Sequence, residues 1–416
     1  MDPDGAVRAP AAKPDAAASP DITSAHFPLL LAASLVMVAL NLRPALSSLA
    51  PVLGDVMRDT GMSSSAAGIL TTVPVLCLGL FGVIAPRLAQ RFGVERTIFA
   101  VLLLLAGGIA LRGIGSFAGL FAGAILSGAG IGIIGVLLPA LVKRDFPRQA
   151  SLMTGVYTMA LCAGAAAAAG LTVPLERALG GMWTGALALW ALPAVAAAVI
   201  WLPQLRGRQT VVGQGGFTVR GLWRDPLAWQ VTLFMGSQSS LAYIVLGWLA
   251  PMLRDRGLDP AMAGLVVSGS VMVQVVAALA APLLATRGPS QSFVAVMMVA
   301  CGLVGMLGCG YAPLGSLWIW AVILGIGQGG AFAVALTLIV LRSPDSRVAS
   351  HLSGMAQSVG YTLAATGPFA VGLLHGWAGD WHAANLLFVV MAIVAAIFGF
   401  FAGRPRHVAA VVVPRG

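Results

Sequence analysis

Long apolar runs separated by short polar stretches organise this chain. A membrane-spanning helix needs about 20 mostly apolar residues. Runs of that length occupy 28–49, 65–85, 97–114, 117–141, 151–174 and 181–202. A polar stretch rich in Arg and Gly follows, from Pro203 to Asp225. A second set then covers 226–250, 261–284, 292–311, 316–341, 352–375 and 383–403. The pattern predicts an all-α membrane protein with twelve transmembrane helices. It divides into an N-terminal six-helix bundle over 28–202, a cytoplasmic linker over 203–225 and a C-terminal six-helix bundle over 226–403. The ends, 1–27 and 404–416, read as cytoplasmic tails, the first rich in Ala, Pro and Asp and expected to be disordered.

The two halves repeat each other. Asp59-Thr60-Gly61 matches Asp255-Arg256-Gly257, and Ala85-Pro86 matches Ala281-Pro282. The glycine-rich Ser127–Gly132 run is echoed by Leu324–Gly329. The shared offset of 196 or 197 residues makes each half one six-helix unit. An even number of spans per unit gives both halves the same orientation. Gly130, Gly132 and Gly135 have dinucleotide-motif spacing, but no strand precedes them inside an apolar run. They read instead as close helix contacts, recurring in each half.

Charge supports this picture and sets the orientation. Only 9% of the 416 residues are charged and 59% are hydrophobic, against about 25% charged in soluble domains. Arg87, Arg91, Arg96, Lys143, Arg144, Arg148, Arg206, Arg208, Arg220, Arg224, Arg287, Arg342, Arg347, Arg404, Arg406 and Arg415 fall on one side, which the positive-inside rule makes cytoplasmic. The net charge of +10 is spread over these loops, so it does not signal nucleic acid. Cys77, Cys162, Cys301 and Cys309 all lie in apolar runs and read as small buried hydrophobes without metal spacing.

Arg43 breaks the apolar pattern, within Asn41-Leu42-Arg43-Pro44 of the first run. A guanidinium keeps its charge and costs several kcal/mol in hydrocarbon unless paired or hydrated, roughly 2.5–3.5 by insertion scales. No acid shares its helix; Asp55 and Asp59 come later. The pairing it lacks points to an anionic or strongly dipolar solute. Pro44 removes a helix-interior donor and predicts a kink there. Arg112, at the outer end of the third span, reads as a snorkelling anchor, and Trp248 as an interfacial belt residue. No Asp or Glu falls in the middle of a span, and His351 and His375 lie near helix ends. The usual intramembrane proton relay is therefore missing from the pattern.

Three strings sharpen a resemblance: Asn41-Leu42-Arg43-Pro44, Pro139–Pro147 after the fourth span, and Gly247–Arg254 after the seventh. With the basic loop Gly82–Gly93, they resemble the cyanate/2-nitroimidazole permease family of the major facilitator superfamily. Pro86 stands in that loop where an Asp is usual. The resemblance implies the major facilitator fold, two pseudo-symmetric bundles around a central cavity, and alternating-access transport of a small polar or anionic solute across a bacterial inner membrane. It implies a monomer, no cofactor, no enzymatic activity, and leaves proton coupling open. Polar groups at mid-depth become candidate solute contacts: Arg43, Asn41, Tyr157, Gln238, Tyr243, Gln274, Gln328, Gln357 and Tyr361. Asn41 and Arg43, two residues apart, do not share a helix face, so one reaches the cavity and the other supports a neighbouring helix. Arg87, Arg91, Lys143 and Arg144 become candidate gate or loop contacts. A broad-range drug/proton antiporter is the rival reading. Against it, the fourth span has no Arg and the fifth lacks the Gly-Pro pair of such exporters.

Overall fold

The computed structural model describes residues 22–207, 217–378 and 380–414. Most of the tail expected over 1–27 lies outside the described residues, and helix begins at Ile22. The first half comprises α1 (Ile22–Asn41), α2 (Pro44–Ser47), α3 (Leu53–Thr60), α4 (Ser64–Gly82), α5 (Ala85–Phe92), α6 (Val94–Leu111), α7 (Phe117–Asp145), α8 (Ala150–Ala178), α9 (Trp183–Leu189) and α10 (Ala191–Trp201). A short α11 (Gln204–Gly207) and strand β1 (Phe217–Arg220) belong to the linker. The second half comprises α12 (Pro226–Asp255), α13 (Pro260–Ala285), α14 (Ser292–Tyr311), α15 (Leu317–Arg342), α16 (Ser346–Ala364), α17 (Thr366–Ala378) and α18 (His382–Ala402), followed by β2 (Val411–Pro414).

Among the described residues, ten helical runs are long and apolar enough to cross a membrane, and the α4–α5 pair, bent by 53°, brings the number to eleven if it is one span. The residues of the remaining expected span, 352–375, are helical in α16 and α17, but this pair is not among the runs long and apolar enough to cross. Ser350, Ser353, Gln357 and Ser358 on α16 lower its apolar content, so composition alone does not mark it.

The repeat seen in the sequence is a repeat of contacts. On α7, Gly128 lies against Pro74 and Cys77 of α4, Gly132 against Leu78, and Gly130 against Leu105 of α6. On α15, Gly325 lies against Ser270 and Val273 of α13, Gly329 against Gln274, and Gly327 against Gly302 of α14. A side chain at most of these positions would collide with backbone, so only glycine lets the helices come this close. The end caps repeat too. Gly61 (φ 66°) and Gly257 (φ 91°) turn the chain after α3 and α12 in the left-handed region. Just before them, Asp59 accepts a bond from Trp183 Nε1 at 2.8 Å, and Asp255 accepts one from Trp381 Nε1 at 2.9 Å. Each pair ties the first span of its half to the last.

The linker and the carboxyl-terminal tail share one face. There β1 and β2 pair antiparallel, Phe217 opposite Pro414 and Arg220 opposite Val411. Val408 N donates to Arg342 O at 2.9 Å and Ala409 N donates to Asp225 Oδ2 at 2.5 Å. The sequence reading left this sheet out; its short β-branched stretches, Thr218-Val219 and Val411-Val412-Val413, were the available signal.

The halves are joined on this linker face. Gly155 of α8 meets the carbonyl of Leu279 on α13, and Ser151 Oγ donates to Pro282 O at 2.7 Å. Gln357 Nε2 of α16 donates to Gly135 O of α7 at 2.8 Å. Gly79 and Gly82 of α4 face Thr362 and Ser358 of α16. A Cβ at Gly155 would sit 3.0 Å from Leu279 O. Gly155→Leu is expected to wedge this seam apart. Spin labels at Arg148 and Arg287 should report a longer, broader distance by pulsed electron resonance, and an unchanged distribution would contradict the seam.

Candidate functional site

The first span is interrupted where Pro44 predicts it. Pro44 supplies no N–H, so α1 stops at Asn41 and α2 restarts at Pro44. Leu42 N turns back to Ala39 O at 3.1 Å, and the Arg43 carbonyl accepts from Leu46 and Ser47 at 3.0 and 3.1 Å. The Leu40 carbonyl, which would have bonded a residue-44 N–H, lies against Gly164 of α8, where a Cβ would collide with it. Arg112 braces the restarted helix. It is 3% exposed, and its Nη1 donates to Ala45 O at 2.8 Å and to Ser48 Oγ at 3.4 Å. This corrects its reading as a snorkelling anchor: the break offers acceptors that a buried guanidinium needs more than it needs the membrane surface.

Arg43 lies near the middle of the run Leu30–Thr60 and points across the seam between halves. Its guanidinium carbon is 5.1 Å from the ring centre of Phe332 on α15. Among the described residues no carboxylate comes within ion-pair distance of it. Its charge is felt at the hydroxyls of Tyr243 (α12) and Tyr361 (α16) and at the thiol of Cys162 (α8). Tyr361 lies within electrostatic reach of both Tyr243 and Tyr157 of α8. Three of the chain's 4 tyrosines therefore gather along one path from Arg43. The Tyr157 hydroxyl is buried beside Thr158.

The other candidates divide by what their amides do. Asn41 Nδ2 donates to Met37 O at 2.8 Å, within its own helix, and Oδ1 is buried and unpartnered. Gln238 Nε2 donates to Met235 O at 3.1 Å and to Ser239 Oγ at 2.7 Å. Gln274 donates to Gln328 Oε1 at 3.4 Å, and Gln328 to Leu241 O at 3.5 Å, so these two link α13, α15 and α12. Gln357 crosses the seam. Phe332 went unnoticed in the sequence because an apolar residue in an apolar helix carries no contrast. Its place one turn after Gln328 was the only pointer.

On the linker face, Arg144 pairs with Glu95 at 2.7 Å and Asp145 at 2.8 Å, bracing α7 against α6 within one half. Arg91 stacks on neighbouring Phe92 at 5.3 Å. Arg87 and Lys143 face the other half, within reach of His351 and Asp345 respectively. Gln90 and His351 meet across the seam, Nε2 to Nε2 at 3.2 Å. An amide nitrogen only donates, so the imidazole nitrogen accepts and the ring is neutral. Burial and the nearby Arg87 guanidinium hold His351 below the ordinary histidine range.

Comparison with known proteins gives the family. The sequence model of the Major Facilitator Superfamily matches residues 29–251 and 234–415. The 2-nitroimidazole transporter of Escherichia coli is 37% identical over 91% of this chain and 97% of its own length. The cyanate transport protein CynX of the same organism is 30% identical over 88% and 96%. This chain belongs to their permease family within the major facilitator superfamily. It is a secondary transporter of small solutes, not an enzyme. A Bacillus subtilis relative described only as an uncharacterized transporter is 39% identical over 91% and 94%. Among solved structures, the transporter's fold matches the E. coli fucose:proton symporter FucP with a TM-score of 0.70 over 91% of this chain and 99% of that one, at 14% identity. The proton:xylose symporter XylE gives 0.71 over 90% and 95%, at 13% identity.

Two outcomes follow from the transporter's local chemistry. Arg112→Leu strands the Ala45 carbonyl and Ser48, so stability should fall by about 2–4 kcal/mol, read as a lower melting temperature in detergent. A retained midpoint would show that the brace is dispensable. For His351, the lowered folded value means that seam closure is complete above the ordinary histidine range and weakens as pH falls below it. Protonation places donor against donor and a cation beside Arg87. The Arg148–Arg287 label distance should lengthen on acidification in the wild type and stay constant in His351→Gln.

Proposed function

We propose that this transporter moves a small anionic or strongly dipolar solute, of the cyanate or 2-nitroimidazole type, by alternating access, with Arg43 as the group that binds it. The observation that carries this reading is a mid-depth guanidinium with no carboxylate partner, facing tyrosine hydroxyls from the opposite half. The solutes named for the two E. coli relatives, 2-nitroimidazole and cyanate, agree with such a solute. Arg43 attracts its negative end, Tyr243 and Tyr361 orient it, and the buried Tyr157 hydroxyl offers a further contact along the path. Gln274 and Gln328 hold together the helices that form the walls, while Asn41 and Gln238 bond within their own helices. Gln357, Arg87 and Lys143 act at the seam, while Arg91 and Arg144 stiffen the loops beside it.

The units that rock are the bundles 28–202 and 226–403. The density of Lys and Arg makes the linker face cytoplasmic, in the inner membrane of a bacterium. The seam is closed on that face. One polar locus built on a single cation favours this reading over a broad drug/proton antiporter, whose cavity would be apolar and wide.

Proteoliposome uptake and efflux of cyanate and 2-nitroimidazole, with and without a pH gradient, test the proposal. Arg43→Ala should abolish transport while the protein stays folded in detergent. Arg43→Lys should lose at least about tenfold, because a point charge cannot replace the planar fork. Wild-type rates in the Ala variant would remove Arg43 from the mechanism.

A further inference from the structure

Phe332 has no role in the preceding reading, yet it reaches from the second half to place its ring 5.1 Å from the Arg43 guanidinium carbon. A cation over a ring face is attracted by the ring's quadrupole, and the attraction grows when both are withdrawn from water. An aliphatic side chain of the same size fills the space without supplying that attraction.

The surroundings fix this pair from both sides. Ala333, next to Phe332, is fully buried in a small cluster with Cys162 of α8 and Ala278 of α13. One turn earlier, Gln328 is tied to Leu241 and Gln274. On the Arg43 side, Gly164 of α8 receives the Leu40 carbonyl. Cys162 and Gly164 are two residues apart on α8, so one helix sets both the position of α15 and the position of the break in the first span.

We propose that Phe332 is the positioning residue for Arg43: its ring holds the guanidinium across the seam, aimed along the solute path, before any solute arrives. Without it, five N–H donors beside a helix break would turn to the carbonyls of their own helix. Preorganisation of this kind raises affinity by removing an ordering cost. Phe332 also belongs to the half that moves relative to Arg43. Opening the linker face therefore changes the hold on the guanidinium, and with it the affinity, between the two states.

The effect on affinity rests on the reading of Arg43 as the solute-binding group; the Arg43–Phe332 coupling does not. The test uses the full chain in detergent, with 2-nitroimidazole as the probe in equilibrium titrations. Phe332→Leu should weaken binding about five- to tenfold, and Phe332→Tyr should stay within about twofold of wild type. In an Arg43→Gln background, Phe332→Leu should cause no further loss. Equal losses for Leu and Tyr, or an undiminished loss in the Gln background, would overturn the proposal.

The same four proteins are melted without solute. The midpoint shifts of Arg43→Gln and Phe332→Leu should be non-additive, and additive shifts would overturn the pairing. A wild type that binds no probe would sink the substrate reading alone, because the ligand-free cycle still decides the pair.

Discussion

A charge set in the middle of a membrane-length apolar run governs this molecule. Lipid offers Arg43 nothing, and among the described residues no carboxylate comes within ion-pair distance of it. The surrounding structure compensates in weaker ways, with the face of a ring and the dipoles of tyrosine hydroxyls. Each is worth less than an ion pair, and under the proposed function that shortfall is what an anionic solute would meet. A buried guanidinium already satisfied, such as Arg112 on Ala45 O, has no such shortfall and serves as a brace. The two arginines differ by their partners, not by their chemistry.

The same economy of contact shapes the scaffold. Hydrocarbon gives helices no hydrophobic reason to associate, so close packing must hold them. Glycines at equivalent places in the two halves provide it, and glycines at the seam let one half approach the other without locking to it. Polar contacts there are few and exchangeable: an amide on a carbonyl, a serine on a carbonyl, a glutamine on an imidazole. Interfaces of this kind can part at modest cost, which alternating access requires.

Much of the fold was legible because the bilayer imposes a strong rule on composition and length. The repeat was legible because identical contacts need identical small residues, as at Gly128 and Gly325. Arg43 stood out because a charge in an apolar run is conspicuous. Phe332 did not, since its contribution comes from what it faces. The glutamines stood out equally, yet most are spent on neighbouring helices, and spacing along one helix cannot show where an amide bond ends. Arg112 was misread for a related reason: its acceptors lie in a break of another helix. The linker sheet escaped notice because its two strands lie almost two hundred residues apart.

That sheet limits the machine. With β1 paired to β2, and Ala409 and Val408 bonded to Asp225 and Arg342, the far end of the linker travels with the second half. The tether between halves then runs only from Gly207 to Phe217, a contour of at most about 35 Å when fully drawn out. The carboxyl-terminal strand thus acts as a length-setting clasp: peeling it away would pay out more leash, and a shortened tail would let the bundles swing wider.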